Sequence, residues 1–176
     1  MDGQLLMVTL RLIHILGGIF WVGATLVLAG FLVPTLRAIG PDGGRFMQYV
    51  MQQRRLQVYL SAAMGLTILS GLAMYGRLAA ISGGTFAGSR MGIALGVGAL
   101  SAIVAAGVGG VVSQPAGRKL GQLGQRMQQA QAAGERPSPA QLAEMEALQA
   151  RIARALVAIT ALLVLSAAAM ATARYL

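Results

Sequence analysis

The chain has 176 residues, 56% of them hydrophobic and 11% charged, with a formal charge of +9 and a mean hydropathy of +0.69. A water-soluble domain carries about 25% charged residues, so this composition excludes a soluble fold. Cysteine is absent, which removes disulfides, thiolate metal sites and thiol chemistry.

Apolar residues gather in four blocks, 5–36, 56–80, 91–112 and 152–173. Each reaches the length of about 20 residues that a helix needs to cross about 30 Å of hydrocarbon. Strand alternation is missing, and in lipid that leaves helices. The predicted class is therefore all-α: an integral membrane four-helix bundle, one domain over 1–176, with spans at about 5–36, 56–80, 91–113 and 152–174. The first block is too long for a cleavable leader and lacks a basic start, so it is expected to remain as span one.

The positive charge is unevenly placed. Arg37, Arg45, Arg54 and Arg55 lie between the first two spans, and Arg118, Lys119, Arg126, Arg136, Arg151 and Arg154 between the last two. Only Arg77, Arg90 and Arg174 fall on the other side. The bias predicts an inner (cytoplasmic) membrane protein with both termini outside and both basic connections in the cytoplasm. The excess serves topology and lipid headgroups; the expected partner is the bilayer, not nucleic acid.

Span one holds the anomaly. In RLIHILGGIFWVGA (11–24) an arginine and the chain's one histidine interrupt an apolar run. On a helix Met7, Arg11, His14, Gly18, Trp21 and Thr25 recur at spacings of four and three and share a face. Arg11 and His14 lie about 9 and 13 Å past Leu5 at about 1.5 Å per residue. Arg11 can snorkel to the headgroups; His14 needs a partner. No carboxylate side chain lies in any span, which leaves Arg11 with Asp2, the terminal carboxylate, a lipid phosphate, a cofactor or another protein. Trp21 reads as packing, with a stacking role open.

Pro34 is expected to end span one, because the residue before a proline avoids helical angles. GPDGG (40–44) reads as a turn with Asp42 as the N-cap of a helix that runs on into span two, bearing Phe46, Met47, Val50 and Met51 as an apolar stripe. Ser61 and Gly65 in span two, and Gly92/Gly96 and Ala102/Ala106/Gly110 in span three, are small-xxx-small pairs read as packing devices. ISGGTFAGS (81–89) is a short outer loop.

The polar segment after span three carries two stripes, Leu120, Leu123, Met127 and Ala130, then Leu142, Met145, Leu148 and Ile152. Between them Ser138, Pro139 and Gln141 spell an N-cap, a first-turn proline and a capping box. A cytoplasmic helical hairpin over about 116–151 is predicted, extending spans three and four.

Three readings of the His14 face follow. In the first it binds haem b: His14 is an axial ligand, Arg11 meets a propionate, Gly17–Gly18 admit the macrocycle, and Met64, Met74 or the same histidine of a second copy completes the iron. In the second His14 holds copper with methionines as soft ligands. In the third His14 bonds Ser70, Thr67, Ser166, Thr172 or a backbone carbonyl of another span, and its role is structural. No paired carboxylates, activated nucleophile or phosphate loop points to an enzyme.

LIHILGGIFWVGATLVLAGFLVPTLR, with RRLQVYLSAAMGLTILSGLAMY (54–75), resembles small membrane proteins of the CopD-like and HemJ-like type. The resemblance covers about the first 80 residues. It implies handling of haem b or copper, or support of electron transfer, with His14 as the haem ligand. The chain lacks the further histidine and the intramembrane lysine of the HemJ-like enzymes. The alternative is a cofactor-free accessory subunit of a larger respiratory or photosynthetic complex, partnered by other membrane subunits or by further copies of itself. A transporter ranks third, for want of intramembrane acids to couple ion movement.

Overall fold

The computed structural model describes residues 3–176, the side chain of Pro41 excepted. Among these residues all regular structure is helical: α1 (Gly3–Ile39), α2 (Pro41–Gln48), α3 (Leu56–Ile81), α4 (Thr85–Gly88), α5 (Arg90–Ala132) and α6 (Pro139–Tyr175). Four of them, α1, α3, α5 and α6, are long and apolar enough to cross a membrane.

The main packing is pairwise, α1 on α3 and α5 on α6, with α1 also touching α6 and α3 touching α5. All four long helices meet around one core, in which Trp21 packs with Ala63, Ala102, Ala105, Ile159 and Leu163. One large indole stands among three alanines, whose small side chains leave room for it between the four helices. Large apolar side chains such as Leu16, Ile19, Leu69, Leu100 and Val157 stand exposed on the outer faces. In water that surface would drive aggregation; in hydrocarbon it is at home.

Pro34 does not end α1. The helix widens into a π turn at Leu28–Leu32, closed by the Val33 N–H donating to the Leu28 carbonyl, and continues to Ile39. A proline lacks the N–H for the carbonyl four residues back and its ring crowds that oxygen; one wider turn removes the clash and keeps the helix whole. The same device recurs in α5, where a π turn at Gly109–Ser113 precedes Pro115. The stop falls instead at Gly40, whose φ of 78° is open to glycine.

The segment after Gly40 also departs from expectation. GPDGG is not a plain turn: Gly40 is the N-cap of α2, and Asp42 lies inside the first turn, 3.5 Å from Arg45 in an exposed ion pair. The helix does not run into span two, because Arg54 and Arg55 break it after a π turn at Tyr49–Gln53. Along the predicted stripe Met47, Val50 and Met51 are half-buried and Phe46 is exposed.

Close approach of α5 and α6 depends on Gly98. The Ser166 hydroxyl donates to its carbonyl at 2.7 Å, and a Cβ there would lie 2.9 Å from Met170 and 3.1 Å from the Ser166 carbonyl. The buried stripe of α5 is Gly98, Ser101, Ala102 and Ala105. Of the predicted pairs Ala102 lies on it; Gly92 is buried too, but against the backbone of Phe86, while Gly110 is exposed and Gly65 of α3 has open space beside it.

Beyond the apolar spans, the second half of α5 packs on the first half of α6. Leu123, Met127 and Leu148 of the two stripes are buried there, whereas Leu142 is exposed. The capping box forms in both directions: the Gln141 N–H donates to Ser138 Oγ and the Ser138 N–H to Gln141 Oε1. Lys119 and Glu144 pair at 2.7 Å across the two helices, and Arg37 at the end of α1 donates to the Gln149 carbonyl at 2.7 Å.

Gly98→Val is expected to lower the detergent-solubilised melting temperature, by the equivalent of about 1–3 kcal/mol for an overpacked contact. Gly107→Ala, with nothing within 4 Å of the added carbon, should not lower it, since alanine favours the helix. A neutral Gly98→Val would contradict the contact.

Candidate functional site

The face of α1 predicted from spacing exists, and from Arg11 onward its exposure falls along the helix. Arg11 is exposed, Met7, His14 and Gly18 are half-buried, and Trp21 and Thr25 are buried. The line turns into the protein as it descends. Asp2, one of the partners considered for Arg11, lies outside the described residues. Among the described residues Arg11 forms no ion pair.

α1 and α3 run antiparallel in a register that three glycines mark. Gly3 sits beside the Arg77 guanidinium, Gly17 beside Ala63 and Thr67, and Gly71 beside the His14 ring. At the centre, His14 Nδ1 donates to the backbone carbonyl of Thr67 at 2.7 Å. The carbonyl can only accept, so the ring proton on that side belongs to Nδ1, and Nε2 is left pointing away from this bond.

That hydrogen bond requires an accessible carbonyl in the middle of a helix, where one is usually covered. Side chains of a helix lean toward its N-terminus, so the residue four positions on shields the carbonyl. Four residues after Thr67 stands Gly71. A Cβ there would lie 2.7 Å from His14 Cε1 and 3.0 Å from Nδ1. The imidazole occupies the volume that any other residue would fill. Spacing along span one does not bring out Gly71; the one available signal is a glycine four places after a candidate partner.

Thr67 also receives the Ser70 hydroxyl on the same carbonyl, at 3.2 Å. Its own hydroxyl is buried with no hydrogen-bond partner. Thr25, Ser70, Ser101 and Thr160 all satisfy theirs on the carbonyl four residues back, as buried hydroxyls in helices commonly do. Thr67 Oγ1 instead faces Gly17, where a Cβ would come within 2.6 Å of it and 3.3 Å of the Ala63 carbonyl. Gly17 is thus needed for helix contact. The space between α1 and α3 at Gly17 is filled by α3 itself, and a macrocycle has no room between them.

The remaining predicted site residues are distributed as follows. Trp21 belongs to the four-helix core, and Met64 is half-buried against it. Met74 is half-buried. Met64 lies three residues before Thr67 and Met74 three after Gly71, each about 4.5 Å along the axis from those residues at about 1.5 Å per residue. The two therefore flank the level of His14. Ser166 is bonded to Gly98, and Thr172 to its own helix. No group of three or more metal-ligating His, Cys, Asp or Glu side chains occurs among the described residues.

No protein-family model, curated protein or solved structure matches the chain.

Interhelical hydrogen bonds in membranes contribute about 0.6 kcal/mol on average and up to about 1.7. His14→Ala should cost about that much in detergent unfolding, and Gly71→Ala at least as much because it also displaces the ring. In the double variant the two losses should not add, since the methyl group introduced on α3 then has no ring to clash with. Additive losses would contradict the pairing.

Proposed function

We propose that the chain is a multi-pass protein of the inner membrane, both termini outside. Its spans form a four-helix bundle, and the second half of α5 with the first half of α6 forms a cytoplasmic helical hairpin. In this reading it is an accessory subunit of a larger respiratory or photosynthetic membrane assembly. The observation that carries it is how the polar face of α1 is engaged. His14 Nδ1 bonds the Thr67 carbonyl and Gly17 closes the gap to α3, so the imidazole ties two helices together. Arg11 remains exposed in span one. A guanidinium is costly to leave in hydrocarbon; it is satisfied by snorkelling to the headgroups or by an acidic group on a neighbouring subunit, and the accessory reading takes the second.

A second reading is supported by the same hydrogen bond. A histidine whose Nδ1 donates to a carbonyl is oriented as metal-bound histidines generally are, with the Nε2 lone pair free. His14 is half-buried, so haem b or copper would approach Nε2 from outside the α1–α3 contact, with Arg11 one turn above. A second axial ligand would come from another copy of the chain. The CopD-like and HemJ-like resemblance points to the same residue.

One preparation separates the two. Gently solubilised native protein is expected to migrate with other membrane subunits and to lose them in Arg11→Leu, while Gly98-dependent stability is unchanged. A chain that migrates alone overturns the accessory reading. A Soret band or stoichiometric copper that disappears in His14→Ala would establish the ligand reading; colourless, copper-free protein would dispose of it.

A further inference from the structure

The outer face of α1 carries a groove of about 370 Å³ whose lining includes Ile19, Gly23, Ala24, Val27, Leu32 and Leu56. Every lining residue is apolar. Gly23 and Ala24 make a notch between bulkier neighbours, and an added carbon at Gly23 would meet nothing within 4 Å. From Ile19 to Leu32 the groove follows α1 for about 20 Å at about 1.5 Å per residue. One leaflet of hydrocarbon is about 15 Å deep, so the groove runs the depth of a leaflet. Its end coincides with the π turn at Leu28–Leu32 and with Leu56, the first residue of α3.

Directly before Leu56 come Arg54 and Arg55, both exposed. Arg55 has a φ of 54°, the one positive value for a non-glycine residue among those described. That conformation is uncommon for an L-residue, and it starts α3 abruptly with two cations immediately before the groove residue Leu56 in the chain, although neither lines the groove itself. An apolar groove with two exposed arginines next in the chain to its lining residue Leu56 matches one molecule.

We propose that this groove binds an anionic phospholipid, with an acyl chain against Gly23 and Ala24 and the headgroup phosphate met by Arg54 and Arg55. A partner helix would satisfy the apolar notch but not the arginines; a free anion would satisfy the arginines alone. The proposal rests on the membrane-spanning reading of α1 and α3. It is independent of which side the termini face and of any role for His14.

The test is native mass spectrometry with lipid extraction of the full chain. The protein is taken from bilayers of equal phosphatidylglycerol and phosphatidylethanolamine. Wild type should retain phosphatidylglycerol over phosphatidylethanolamine by about thirtyfold, the scale expected of two basic residues at a headgroup. Gly23→Leu should lose bound lipid of both kinds. Arg54→Gln/Arg55→Gln should keep lipid and lose the preference, and because both residues are exposed this variant carries the test if the groove variant misfolds. Equal retention by wild type, or a preference unchanged in the arginine variant, overturns the proposal. So does a lipid-free wild-type dimer that Gly23→Leu converts to monomers, which would make the occupant a second copy.

Discussion

A polar side chain inside hydrocarbon must find its partner within the protein, and that constraint organises the first half of this molecule. His14 meets it with the Thr67 carbonyl, 2.7 Å from Nδ1. The bond ties α1 to α3 at mid-span and determines which faces of the two helices meet. Most other buried hydroxyls meet the constraint by shorter routes, folding back onto their own helices, whereas the Thr67 hydroxyl has no partner. His14 cannot reach its own backbone in that way, so its partner lies on a neighbouring helix.

Glycine makes such contacts geometrically available. Gly71 uncovers the carbonyl that His14 bonds, Gly17 brings the α1 and α3 backbones together one turn below, and Gly98 does the same for α5 and α6 under Ser166. In lipid, burial of apolar surface does not drive helices together, and van der Waals contact with a few interhelical hydrogen bonds must do so. The glycines act at places where a Cβ would collide with a neighbour. Where the surroundings are open, as at Gly65 and Gly107, glycine has no such role.

What the sequence revealed follows the same division. The four long apolar helices, most of the two stripes after the third and the capping box at Ser138 were legible because periodicity and cap chemistry are local. The His14 face was legible from spacing, and Thr67 stood among its possible partners, although the atom that accepts is the carbonyl and not the hydroxyl. Gly71 was not legible: a glycine in an apolar span carries no mark of what lies opposite. Gly98 does not stand out in the sequence from the Gly92/Gly96 pair, because small residues occur on several faces of α5 and only the position of α6 selects among them. Pro34 misled because its effect on a helix depends on whether the preceding turn can widen. At Leu28–Leu32 it does.

The central claim is that the chain's one imidazole is held by Nδ1–H on a backbone oxygen of the neighbouring helix. Having a single histidine makes it directly measurable, because a ¹⁵N-histidine-labelled sample gives one ring spin system. Nitrogen NMR of the protein in lipid should find Nδ1 protonated, with scalar coupling across the hydrogen bond to the ¹³C-labelled Thr67 carbonyl. An Nδ1 without its proton, or a protonated Nδ1 with no coupling to that carbonyl, would contradict the account.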